Sequence, residues 1–132
     1  MFGWLRNIIG SGSSKKPDIE FYSSIVGVSH KNRDRTSRQK IIRESLHSNT
    51  KLELVFENDN PVDKNAVALL APNGGQVGYL SSGLAKQVHG WMRDGMQVTI
   101  IIKEITGGTR DKPTHGVNIL VQAYERTVEG SH

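Results

Sequence analysis

The chain has 132 residues and a mass of 14.6 kDa, with 36% hydrophobic and 23% charged residues, which fits one globular domain with a single modest core. It contains no cysteine, which excludes disulfides and thiolate metal sites, and no apolar run nears the roughly 18 residues of a membrane span. The net charge is +4, yet residues 1–50 hold nine Lys/Arg against four Asp/Glu, a balance of +5, so the remaining residues sum to −1.

MFGWLRNIIG opens the chain and runs into SGSSKKP, a flexible linker by composition. The apolar segment is too short for a signal-peptide core with its cleavage site. Phe2, Leu5 and Ile9 share a helical face, which suits a short interfacial or partner-binding helix, or a terminal turn packed on its own domain. We expect a tail and linker over residues 1–18, a domain over 19–126 and a C-terminal tail over 127–132. A cytoplasmic setting is compatible with these features.

EFYSSIVGVSH (20–30) is β-branched and aromatic and predicts a strand, interrupted by Gly27. Thr36 or Ser37 can cap a short helix, RQKIIRESL, with Ile41, Ile42 and Leu46 on its inner side. KLELVFE alternates Leu52, Leu54 and Phe56 inward with Lys51, Glu53 and Glu57 outward, the pattern of a half-buried strand. NAVALLA and QVGYL predict two more strands across the turn PNGG. SSGLAKQVHGWMRDG predicts a second helix, capped by Ser81 or Ser82, with a stripe of Leu84, Val88, Trp91 and Met92 and a stop at Gly95. MQVTIIIKEI and VNILVQAYE are the last two strands. Six strands and two short helices without a βαβ rhythm predict a mainly β fold, a small antiparallel six-stranded barrel.

HKNRDRTSRQKIIR (30–43) holds six basic residues and one acidic one, which suits either a polyanion-binding surface or a solvated basic face. ENDNPVDKNAV (57–67) lies between two predicted strands. It fails as a calcium loop, because a frame starting at Asp59 lacks the required glycine and terminal glutamate. The five histidines show no zinc-ligand spacing, and neither a P-loop nor a nucleophile elbow is present, so we expect no metal, no cofactor and no enzyme activity. Local chemistry makes the stretch a turn: Pro61 restricts φ, while Asn60 and Asp63 can bond nearby backbone amides.

EFYSSIVGVSHKN, RQKII, LELVFENDNPVDKNAVALL and GQVGYLSSGLA, in that order, resemble the HIRAN domain over about residues 21–125. The resemblance implies an OB-like barrel that binds single-stranded DNA and prefers a free 3′ end. It also implies a role in DNA repair or replication-fork processing, with a helicase or nuclease as a partner class. Carried over by position, the end pocket would comprise His30, Asn60, Val62, Asp63, Tyr79 and Ser82. Asp63 would meet the terminal 3′ hydroxyl, and His30 or Tyr79 would stack on a base. Lys31, Arg33, Arg35, Arg38 and Lys40 would hold phosphates, with Arg43 as a further cation of the same patch.

Three positions depart from the family's pattern. The loop position often aromatic in relatives is Val62, the tyrosine of the first strand is His30, and the basic residue at the second helix start is Ser82. The alternative expectation is a protein-interaction module that keeps the barrel without the pocket. Oligomeric state is not legible in the sequence.

Overall fold

A computed structural model describes residues 16–126 of the chain; the expected N-terminal apolar helix and the C-terminal tail lie outside them. The elements are β1 (Ile19–Ser24), α1 (Arg38–Ser45), β2 (Lys51–Phe56), β3 (Val67–Leu70), β4 (Gln76–Tyr79), α2 (Ser82–Arg93), β5 (Gln97–Thr106) and β6 (Gly116–Tyr124). Six antiparallel strands in the order β1-β6-β5-β2-β3-β4 form a strongly curled sheet, as the patterning predicts.

The curl brings the two edges of the sheet together just beyond β1. The Ile25 amide still donates to Val117 of β6, at 3.0 Å. One residue on, Val26 exchanges both backbone bonds with Tyr79 of β4, each 2.9 Å. The chain thus passes from one edge of the sheet to the other within a single residue. Gly78, beside this bridge, leaves no room for a side chain: a Cβ there would lie 2.5 Å from the Val26 carbonyl oxygen.

The first strand stops short of its predicted end. Gly27 adopts φ +74°, a left-handed turn that glycine reaches without steric cost, so Val28 to His30 leave the sheet. His30 therefore sits on a loop and is exposed.

The inward faces of the strands supply the core. Val67, Leu69, Val77, Ile100, Ile102, Ile119 and Val121 are fully buried, a consequence of period-two alternation along β5 and β6 and of the nearly all-apolar β3. Ser37 caps α1 by accepting from the Lys40 amide at 3.1 Å, and Ile42 and Leu46 lock this end of the fold. Ser81 caps α2, which buries Leu84, Ala85 and Val88. Met92, expected in the apolar stripe, is 45% exposed because it stands in the final turn, where α2 leaves the core. No helix among the described residues is long and apolar enough to cross a membrane.

Candidate nucleic-acid interface

The loop from Glu57 to Ala66 connects β2 to β3 and is held by its own polar side chains. Asn60 Oδ1 accepts from the amides of Val62 at 2.8 Å and Asp63 at 3.0 Å. Asp63 Oδ1 accepts from the Asn65 amide at 2.9 Å, and the Glu57 amide donates to the Ala66 carbonyl at 2.9 Å to close the base. Both side chains thus make Asx-type turns, as the local sequence predicts. Asp63 Oδ2 takes no hydrogen bond among the described residues and remains available to an incoming donor.

Against this loop lies a depression of about 360 Å³ lined by Val26, Asn60, Val62, Asp63, Ala66, Tyr79, Leu80 and Ser82. Five of the six expected end-pocket residues meet there. Tyr79 comes from β4, at the isolated bridge to Val26 that joins the two sheet edges; Ser82 comes from the first turn of α2, whose positive dipole end favours anionic groups. Val62 is 93% exposed at the loop tip, so its side chain is an apolar flap over the depression and not part of the core. His30 lines neither this depression nor the next.

A second depression of about 580 Å³ adjoins the first, and its charged lining is balanced, with Lys31, Arg33 and Arg38 against Asp34, Glu57 and Asp59. Asn60 and Tyr79 line both, which makes them the wall between the two. Of the five expected phosphate-binding residues, Lys31, Arg33, Arg35 and Lys40 are exposed, and Arg35 and Lys40 stand outside both depressions.

Arg38 differs from the others. It is only 8% exposed, donates from Nε to Asn32 Oδ1 at 2.7 Å and from Nη1 to the Gly27 carbonyl at 2.8 Å, and lies 5.4 Å from the centroid of the Tyr79 ring.

The basic loop between β1 and α1 is itself ordered by side chains. Asn32 Nδ2 donates to Thr36 Oγ1 and to the Gln76 carbonyl, both at 3.0 Å. Asp34 Oδ1 accepts from the Thr36 hydroxyl at 2.6 Å and from the Thr36 amide at 3.0 Å. The hydroxyl first and the amide second hold the Asp34 carboxyl below the usual carboxylate range.

Sequence reasoning missed two residues of this region. Glu57, expected to face outward, is half-buried, and its Oε1 accepts from both Tyr79 and Asn60. Gln39 donates from Nε2 to the carbonyls of Val28 at 3.0 Å and His115 at 2.9 Å, and its Oε1 accepts from the His115 amide at 2.7 Å. Its amide acts as a stitch between the β1 end and the β5–β6 loop. The RQ pair that opens α1 was the available signal, but its partners are distant in sequence. Among the described residues, no group of three His, Asp or Glu side chains is placed to hold a metal ion.

The family model described as "HIRAN domain" matches residues 19–121. The crystal structure of the HIRAN domain of human HLTF is similar with a TM-score of 0.57 at 18% identity, covering 81% of this chain and 77% of that one. A crystal structure of a protein from Lactobacillus plantarum also gives a TM-score of 0.57, at 14% identity, covering 80% of this chain and 99% of that one. At these identities the likeness of the structures speaks for the fold. No curated protein matches the chain at a significant level.

Proposed function

Because the chain belongs to the HIRAN domain family, whose members are in general DNA-binding modules, we propose that it is a non-catalytic module that binds single-stranded DNA and captures a free 3′ end. The process we assign to it is DNA repair or replication-fork processing, alongside a helicase or nuclease.

One observation carries this reading. A carboxylate with an unbonded oxygen, Asp63, and an aromatic ring, Tyr79, line the same depression, and that depression abuts a larger one along which Lys31 and Arg33 are exposed.

The chemistry follows from the geometry. A terminal base entering the smaller depression would meet the Tyr79 ring and the apolar side chain of Val62. Stacking on an aromatic ring contributes on the order of 1–3 kcal/mol per base without reading sequence. Asp63 repels a phosphate but accepts from a hydroxyl, so a strand that continues past this point is penalised and a strand that ends there is not. Lys31 and Arg33, exposed on the rim of the larger depression, would attract the phosphates of the strand body in a salt-dependent way.

Fluorescence anisotropy with a short oligonucleotide tests the assignment. A free 3′ hydroxyl should bind more tightly than a 3′ phosphate, and Asp63→Asn should narrow that difference while keeping the loop, since its Oδ1 can still accept from Asn65. Equal affinity for the two ends would remove end capture; no binding even at low salt would remove DNA binding altogether. The second outcome would favour a protein-interaction module, a reading supported by the exposure of Val62 and of Val26, which is 43% exposed.

A further inference from the structure

We propose that Arg38 is a positioning residue that holds the Tyr79 ring in place for a base, and that it is not one of the phosphate ligands of the basic patch. The inference rests on the DNA-binding reading above for its ligand, and on the geometry of the protein alone for its mechanism.

Two of the guanidinium's five N–H donors and its place beside a ring are taken up by the protein itself. Nε and Nη1 donate to Asn32 Oδ1 and the Gly27 carbonyl, and Cζ lies over the Tyr79 ring, 5.4 Å from its centroid. No carboxylate of the described residues lies within ion-pair distance of it. Neutral acceptors and a π face therefore compensate a nearly buried charge, and swinging the side chain out toward solvent would abandon all three.

Its partners also connect the two halves of the site. Asn32 is tied to the Gln76 carbonyl in β4, and Gly27 follows the strand bridge between Val26 and Tyr79. Arg38 thereby joins the basic loop, the strand bridge and the aromatic wall. Tyr79 is fixed at its other end, where the hydroxyl donates to Glu57 at 2.8 Å. Arg38 lines only the larger depression, while Tyr79 lines both, so the guanidinium backs the ring from that side and leaves the smaller depression for a ligand. A ring already held in this way loses less conformational freedom when a base stacks on it.

Lysine cannot reproduce this arrangement, because an ammonium has neither the fork nor the plane. The test uses the full chain with Arg38→Lys and Arg38→Gln, and Arg33→Gln as a phosphate-ligand control. Both Arg38 variants should lose about two- to tenfold in affinity for a 3′-hydroxyl oligonucleotide, with the slope of log affinity against log salt unchanged. The control should reduce the magnitude of that slope by about 0.7. In the free protein, the Tyr79 ring signals should shift in both Arg38 variants while the methyl signals of the core stay in place.

If Arg38→Lys binds like wild type and Arg38→Gln reduces the slope as the control does, Arg38 is a phosphate ligand and the proposal is overturned. Unmoved Tyr79 signals overturn it as well. Should either variant fail to fold, the wild-type protein still decides: the Arg38 Nε–H should be protected from exchange and keep its shift when the strand is added, whereas a phosphate ligand would shift. A wild-type chain that binds no oligonucleotide would remove the DNA reading, and the Tyr79 signals of the free variants would still judge the clamp.

Discussion

The Tyr79 hydroxyl donates to Glu57 Oε1 at 2.8 Å, and that same oxygen accepts from Asn60 Nδ2 at 2.9 Å. One carboxylate oxygen thus ties the aromatic wall on β4 to the residue that shapes the β2–β3 loop. The loop carrying Asp63 and the ring beside it are thereby tethered to one oxygen, which constrains the spacing between a stacking surface and a hydroxyl acceptor.

Glu57→Ala should cost stability and affinity together. It leaves Tyr79 and Asn60 without their shared acceptor, a loss of about 1–2 kcal/mol for half-buried bonds to a charged group. Glu57→Gln, which keeps an acceptor oxygen, should cost less. Urea unfolding with a common m-value checks the order; an Ala variant as stable as wild type would show that the shared oxygen carries no weight.

The ring and the hydroxyl of Tyr79 should separate by substitution. Tyr79→Phe keeps the stacking face and the Arg38 contact, so it should lose roughly 0.5–1.5 kcal/mol of stability and little affinity. Tyr79→Ala should lose about 1–3 kcal/mol of oligonucleotide binding. His30→Ala, on an exposed loop, should leave the unfolding midpoint unchanged. Any affinity lost in that variant would place a ligand beyond the two depressions, over the first loop.

Gly78→Ala tests the strand bridge. Its Cβ would meet the Val26 carbonyl and Ile25 Cγ2, both at 2.5 Å, and neither belongs to a flexible side-chain end. The strand edges must part or the backbone must shift, at a cost of roughly 1–3 kcal/mol or more. A calorimetric melt should show a lowered Tm, and amide exchange at Val26 and Tyr79 should speed up most. Unchanged exchange at these two amides would mean that the bridge tolerates a methyl group.

Acid should loosen the basic loop at Asp34 in a defined direction. Because the Thr36 hydroxyl and then its amide lower the folded pKa of Asp34, the carboxylate's contribution is present at neutral pH. It is lost as pH falls below the usual aspartate range and through the depressed folded value. Amide exchange at Thr36, measured down that range, should rise on acidification in wild type and be flat in Asp34→Asn. A flat profile in wild type would contradict the link.

Much of the fold was legible because its causes are local. Alternation of Leu52, Leu54 and Phe56 made β2 readable, capping serines placed both helices, and the Asn60–Pro61–Asp63 turn followed from side chains bonding amides two or three residues away. The first strand was read too long, since the periodic signal continued through Val28 while a single left-handed glycine at position 27 turned the backbone out of the sheet.

The sequence by itself determined the strands, the helices and the polar loop, because hydrophobic period, capping and turn chemistry act over a few neighbouring residues. Only the tertiary structure decided what Arg38 and Glu57 do. Arg38 counted in the sequence as one more cation of a basic run, and Glu57 as the outward end of a strand. Their shared partner, Tyr79, reaches Glu57 through the pairing of β2, β3 and β4, and meets Arg38 where Val26 bridges to β4. A buried charge and a shared carboxylate oxygen are set by which distant groups the curled sheet brings within hydrogen-bond reach, and no local pattern encodes that distance.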